Sequence, residues 1–289
     1  MKILVIGGGG MLGHKLVQVW RNVFDVRTTV RGKYADLEKY KIYELGRVYE
    51  SIDVADIAAI EKIVGEFRPA VIVNAVGIIK QLPSAQNVIE MLRINSIFPH
   101  QLAELAGKYE ARLITVGTDC VFDGAKGNYT EEDTPNATDL YGKSKNLGEV
   151  AAVGCLTLRT SIIGRELHSA HSLVEWFLSN EGRTVRGYAN AIYTGFPTVI
   201  FAEILTDVIL NHPQMHGLYQ VSSAPIDKYE LLELIRDAYG AKIEIERFED
   251  FVIDRSLNSE KFRAAAGFQP LDWQEMIERM AADDEIYRR

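Results

Sequence analysis

Cysteine is scarce in this chain of 289 residues: Cys120 and Cys155 are the only two. A disulfide framework is not expected, and a reducing, cytoplasmic setting fits. Long apolar runs are missing as well. None approaches the roughly 18 residues that a membrane-crossing helix requires. The short apolar stretch at the start leads directly into glycines and shows no signal-peptide pattern. Positive charge is in deficit, with 32 Lys and Arg against 40 Asp and Glu and a net charge of −8. That balance argues against nucleic acid and anionic membranes as main partners. An anionic ligand would need a local basic pocket. The six histidines are scattered. His168 and His171 stand three apart, but no further Cys/His cluster joins them, so no metal site is expected. Internal repeats and low-complexity linkers are also absent. What remains is an ordinary soluble composition, 47% hydrophobic and 25% charged, long enough for one large or two small domains.

The first residues carry a strong local signal. Lys2-Ile-Leu-Val-Ile6 is a short apolar run of the buried parallel-strand type. Gly7-Gly8-Gly9-Gly10-Met11-Leu12-Gly13 follows at once, and Leu12, Leu16, Val19 and Trp20 then recur at helical spacing. Strand, glycine loop and helix in this order are the context of a dinucleotide fingerprint. Glycines let the backbone approach a pyrophosphate, and the helix N-terminus attracts its charge. The ordinary alternative is a tight turn with no ligand. The next strand is expected at 23–30. Dinucleotide sites selective for NAD usually place a carboxylate near its end; here the chain reads Thr28-Thr-Val-Arg-Gly-Lys33. Arg31, with Lys33 second, suits a 2′-phosphate, so NADP(H) is the expected cofactor.

Short apolar runs and helical patterns alternate through the first 160 residues. Strands are expected at 48–53, 70–76, 112–116 and 156–159, and helices at 55–67, 88–107 and 141–153. This is the pattern of βαβ units, hence an α/β fold with a doubly wound parallel sheet of Rossmann type. In such sheets the ligand lies along the carboxyl ends of the strands. Asp53 and Val54, Asn74, Ala75 and Gly77, and the 115–119 loop fall on that edge. Asp53 could reach adenine or cap a helix. Beyond residue 160 the alternation weakens, with helices expected at 172–179, 199–211, 228–239 and 272–284, and strands at 218–221 and 242–247. A smaller α/β lobe for substrate is the simplest reading. The dinucleotide-binding domain would span 1–163 with part of 190–215, and the lobe 164–190 with 216–289.

Tyr141 and Lys145 stand four apart in Asp139-Leu-Tyr-Gly-Lys-Ser-Lys145 and share one helix face. The lysine charge could draw the phenol pKa down from its ordinary value, making Tyr141 a proton donor or acceptor. Thr118 offers a hydroxyl to hold a carbonyl oxygen in the same pocket. Thirteen tyrosines yield roughly one such Tyr/Lys pair by chance. The pair gains weight from the glycine loop.

These residues together resemble the extended short-chain dehydrogenase/reductase superfamily, and within it the dTDP-4-dehydrorhamnose reductases. The likeness runs from Ile3 to about Trp273. Its most specific block is Thr118-Asp-Cys-Val-Phe-Asp-Gly124, then Tyr129-Thr-Glu-Glu-Asp133, Pro135, Tyr141-Gly-Lys-Ser-Lys145 and Gly148-Glu149. Leu158-Arg-Thr160, Gly195-Phe-Pro-Thr198, Gly217-Leu-Tyr-Gln-Val221 and Leu257-Asn-Ser-Glu-Lys261 extend it. The resemblance implies NADPH-linked reduction of a 4-keto-6-deoxy sugar carried on a nucleotide diphosphate. It implies Tyr141 as proton donor, Lys145 tuning that phenol and binding ribose, and Thr118 holding the substrate oxygen. A homodimer is a further family-level expectation.

The chain departs from the group at Cys120, where Tyr is usual, at Gly77-Ile-Ile-Lys-Gln81, and at Ile192-Tyr193, where Asp-Gln is usual. Cys120 reads as a small buried side chain rather than a nucleophile, because no base stands beside it. Related 4,6-dehydratases carry an acidic pair after the threonine; here only Asp119 is acidic. Epimerases with bound NAD commonly end the second strand in acid; Arg31 opposes that, but a sugar-nucleotide 4-epimerase stays open as an alternative because it uses the same Tyr/Lys pair. A regulatory subunit that binds NADP and a partner enzyme would show an eroded catalytic set, which this chain lacks. Expected substrate contacts are Thr118, Asp119, Cys120, Lys80 with Gln81, and phosphate-binding arginines. Among Arg159, Arg165, Arg183, Arg186 and Arg255, the choices are Arg165 and Arg255.

Overall fold

The computed structural model describes residues 1–80 and 83–287. Seven strands form one parallel sheet: β1 (Lys2–Ile6), β2 (Asp25–Thr29), β3 (Val48–Tyr49), β4 (Val71–Asn74), β5 (Arg112–Val116), β6 (Cys155–Arg159) and the late strand Gly217–Gln220. From one edge the order is Gly217–Gln220, β6, β5, β4, β1, β2, β3. The chain winds outward from β1 to β3, returns to β4, and then winds the other way. The reversal lies between β1 and β4, where such sheets bind ligands.

Both faces of the sheet are covered. Ile3 and Val5 of β1 enter one apolar cluster, and Leu4 and Ile6 enter another on the opposite face. That split follows from the two-residue strand period, and it explains why β1 reads as a continuous apolar run. Helix α1 (Met11–Trp20) packs Leu12, Leu16, Val17 and Trp20 into the first cluster. Helix α2 (Ile57–Phe67) supplies Ile60, Ile63, Val64 and Phe67 to the second, capped by Asp56 through Ala58 and Ala59 N–H.

The helix expected at 88–107 is present but bulged. It runs as α3 (Val88–Leu92), a π turn at Arg93–Ile97, and α4 (Phe98–Lys108). Pro99 has no N–H to return to the Asn95 carbonyl, so the ladder loosens there. Helix α5 (Leu140–Leu147) stops well short of the expected Val153. The reason is Gly148: a Cβ there would stand 1.9 Å from that same Asn95 carbonyl oxygen. The helix therefore ends where its backbone meets the bulge.

The second half adds short strands, at Ile162–Ile163 with Phe196–Pro197, Thr184–Tyr188 with Glu244–Phe248, and Ala191–Tyr193 between Ile226–Asp227 and Ile253–Asp254. Helices Thr198–Asn211, Lys228–Tyr239 and Trp273–Ala282 bury their apolar faces in the same cluster as α1. Among the described residues, no helix is long and apolar enough to cross a membrane.

Candidate active site

The glycine loop closes tightly after β1. Gly7 has φ +93°, a left-handed conformation that favours glycine. Gly13 is required for a different reason. A Cβ there would lie 2.0 Å from the Gly7 carbonyl oxygen, so only glycine lets α1 rest on the loop. Beside the loop lies a cavity of about 750 Å³, a size typical of cofactor pockets. Gly7, Gly10, Arg31, Val54, Ala75 and Gly77 line it.

The other residues expected to touch cofactor act from behind that wall. Leu12 is buried in the core beneath α1, whose first turn Met11 opens. Asn74 is buried, and its Oδ1 accepts the Val76 N–H at 3.1 Å, shaping the turn that carries Ala75 and Gly77. Asp53 is exposed, outside the cavity wall, and its carboxylate accepts the Ala55 N–H at 2.9 Å. That contact shapes the turn, and the cap of α2 is Asp56, not Asp53. Lys39 and His168 also line the cavity, and the sequence reading did not select them for it. Lys39 lies on a single-turn helix with no strand pattern, and His168 arrives from the other half of the chain.

Thr118, Tyr141 and Lys145 converge beyond the Gly77 end of this cavity. Thr118 follows β5 and caps the short turn Asp119–Val121, accepting the Cys120 N–H at 3.1 Å. Its hydroxyl donates to Asp119 Oδ1 at 3.1 Å. Tyr141 lies in the first turn of α5, with its phenol in hydrogen-bonding reach of Thr118. Gly142 makes that approach possible: a Cβ there would stand 2.3 Å from the Cys120 carbonyl oxygen. Lys145, one helical turn on, donates to the Val116 carbonyl at 3.0 Å. A Cβ on Gly77 would be 3.9 Å from the Lys145 ammonium, which ties the trio to the cavity wall.

The electrostatics correct one expectation. Lys145 does not pull the Tyr141 pKa down; burial comes first and pushes it up. The phenol is therefore held as a neutral donor. Burial lowers the Lys145 pKa to about 8, with Glu149 opposing. Cys120 is pushed up to about 12, by burial first and then by the Asp119 charge. A thiol held so firmly protonated is a poor nucleophile. Burial likewise raises the Asp119 carboxyl.

The substrate candidates divide. Lys80 sits over the Tyr141 ring, 5.5 Å from its centroid, and pairs with Asp139 at 2.8 Å. Arg255 lies beside Cys120, its Nε donating to the Phe122 carbonyl at 2.8 Å. Gln81 lies outside the described residues. Arg165 is a correction. It is engaged by Glu175 and Asp284 and stacks near Tyr239 and Tyr287, so its guanidinium serves the fold rather than a phosphate. Arg159 is likewise buried in a two-pronged pair with Glu149, at 2.6 and 2.8 Å. Neither pairing was visible in sequence, because the acidic partners come from distant segments or a turn after α5.

The family described as RmlD substrate binding domain matches residues 1–286. This chain belongs to that family. A dTDP-4-dehydrorhamnose reductase of Aggregatibacter actinomycetemcomitans is 25% identical, over 97% of this chain and 98% of its own. Methionine adenosyltransferase 2 subunit beta of Xenopus tropicalis is 27% identical, over 66% of this chain and 61% of its own. In the solved structures, a Bacillus anthracis dTDP-4-dehydrorhamnose reductase in complex with NADP superposes with a TM-score of 0.77 at 20% identity, covering 98% of this chain and 99% of that one. At that identity the likeness shows the fold alone.

In this RmlD family member the cavity residues fit a dinucleotide on their own terms. Gly9 and Gly10 leave open space above the loop, since a Cβ on either meets nothing nearer than 3.5 Å. Arg31 and Lys39 face the far end without an ion-pair partner among the described residues. The wall thus offers open glycine backbone at one point and unpaired cations at another, as a phosphorylated dinucleotide needs.

Proposed function

We propose that this RmlD family member is an NADPH-dependent reductase of a nucleotide-diphosphate 4-keto-6-deoxy sugar, with dTDP-4-dehydrorhamnose as the first substrate to test. The observation that carries this reading is the convergence of Thr118, Tyr141 and Lys145 at one end of a dinucleotide-sized cavity with cations at the other. The name of the Aggregatibacter relative supports it.

A reduced nicotinamide bound in the cavity supplies a hydride to the keto carbon. The chain's own residues manage the oxygen. The Thr118 hydroxyl, given to Asp119 in the free chain, turns its one hydrogen to the carbonyl oxygen when substrate binds. Tyr141 gives its phenolic proton to the oxygen as its negative charge develops, leaving an alcohol. A phenol kept neutral by burial suits that direction. The Lys145 ammonium lies one turn away and stabilises the phenolate that remains. Bulk solvent then returns the proton. Lys80, over the Tyr141 ring, and Arg255, beside Cys120, are the proposed contacts for the sugar nucleotide.

The deciding experiment is loss of reduced-cofactor absorbance with dTDP-4-keto-6-deoxy-L-lyxo-hexulose, run with NADPH and with NADH. Rapid NADPH oxidation is the expected result. A second reading, a regulatory subunit that binds NADP and a partner enzyme, draws support from the Xenopus relative only in that its name is that of an enzyme's beta subunit. It requires co-purification with a partner and no turnover on any 4-keto sugar nucleotide.

Two consequences follow from the site. Lys145 loses its charge as pH rises through about 8, so turnover should fall on the alkaline side of that value. A rate that stays level well above it would remove Lys145 from the mechanism. Arg31→Ala should weaken NADPH about tenfold, the value of one charge-assisted contact, while NADH binding barely changes. Equal losses for both would sink the 2′-phosphate role of Arg31.

A further inference from the structure

Two stretches distant in sequence meet at the dinucleotide cavity. One follows β2 and forms two single turns, Tyr34–Asp36 and Glu38–Tyr40. The other runs from 164 to 172, ahead of the helix Leu173–Leu178. The Tyr40 hydroxyl donates to the Leu167 carbonyl. The Tyr40 and His168 rings meet edge to face, with centroids 5.6 Å apart. The second stretch is braced at its base. Glu166 accepts the His171 and Ser172 N–H groups at 2.7 and 2.9 Å, and Ser172 donates to the Gly164 carbonyl at 3.0 Å. Arg165 ties it to Glu175 and Asp284. His168 is thus presented to the cavity from a supported loop.

The cavity wall at this place is rich in cations. Arg31, Lys33, Lys39 and His168 line it, and Asp36 is the one carboxylate among the lining residues. Lys33 is occupied by Glu50 at 3.3 Å. Arg31 and Lys39 are not paired among the described residues. We propose that His168 and Lys39 are phosphate-binding groups, so that the dinucleotide is gripped from both halves of the chain. The proposal rests on the cofactor reading above.

Proton linkage makes it testable. The groups facing His168 are Lys39, Asp36 and the Tyr40 ring from the first stretch, Arg31 and Lys33 from the cavity wall, and His14 from α1. His14 is pushed down to about 3, by burial first, and stays neutral near physiological pH. Without ligand, partial burial and then the Lys39 charge hold His168 below the ordinary imidazole range, and Asp36 opposes them. A phosphate reverses the sign of that field and favours imidazolium. Binding then takes up a proton, and the contribution of His168 grows as pH falls.

The test is the Kd of NADPH and of NADH for the full chain, wild type, His168→Gln and Lys39→Met, at about pH 6 and about pH 8. Comparing variant with wild type at one pH cancels the cofactor's own titration. His168→Gln should weaken NADPH about fivefold at the lower pH and less than about twofold at the higher. Lys39→Met should weaken it about fivefold at both. Losses confined to NADPH assign the pair to the 2′-phosphate; equal losses with NADH assign it to the pyrophosphate. Unchanged affinity in both variants, with wild type binding normally, overturns the proposal. A wild-type chain that binds neither dinucleotide overturns the cofactor reading and this proposal with it.

Discussion

Tyr141→Phe should cut turnover about 10²-fold or more while cofactor still binds. The substitution removes one oxygen and keeps the ring that packs against the second apolar cluster. Thr118 keeps its bonds to Asp119 and to the Cys120 N–H, so the turn it caps should survive. The lost group is a phenol within hydrogen-bonding reach of that threonine hydroxyl. The check is steady-state NADPH oxidation beside a direct measurement of cofactor affinity and Tm. Near-normal turnover would refute the assignment of Tyr141 as proton donor. Lost turnover together with lost folding would leave the chemistry undecided, so an unchanged Tm is part of the expected result.

Gly13→Ala should damage both the fold and cofactor binding. The added methyl would meet the Gly7 carbonyl oxygen at 2.0 Å, the Gly7 carbonyl carbon at 2.7 Å and the Gly8 Cα at 2.9 Å. All three are backbone atoms, so no side chain can swing aside. Helix α1 or the loop must move, at a cost of about 3 kcal/mol. A Tm lower by several degrees follows for a chain of this size. Displacing the loop also separates its N–H groups from a bound pyrophosphate, and a loss of at least about tenfold in NADPH affinity is expected. Thermal unfolding and cofactor titration read the two effects. A variant with wild-type Tm and affinity would show that the loop yields freely and that its glycines are not required by packing.

The glycine loop and the Tyr141/Lys145 pair were legible in sequence because each is a local pattern. Gly7, Gly10 and Gly13 are spaced by one strand-to-helix turn, and Tyr141 and Lys145 by one helical turn. Arg31 was legible for a similar reason, as a cation where a carboxylate is usual. Distance in sequence defeated the rest. Arg165 looked free until Glu175 and Asp284 were brought to it. Asp53 read equally as an adenine contact or a helix cap, and only the fold shows that Asp56 takes the cap while the Asp53 carboxylate accepts from Ala55. His168 carried no signal as a cavity residue, because only the closed fold places it beside Lys39 and Tyr40.

Sequence alone thus determined the parallel α/β sheet, through apolar runs that alternate with helical periods, and set Tyr141 and Lys145 on one helix face, through a short fixed spacing. Tertiary structure decided where helices end, which charges are spent on the fold, and how each group titrates. Gly148 stops α5 only because the Asn95 carbonyl stands against it. Tyr141 stays protonated because burial, and then the acidic groups around it, raise its pKa. Both outcomes depend on close approach and exclusion of water between residues far apart in the chain, and no local pattern encodes them.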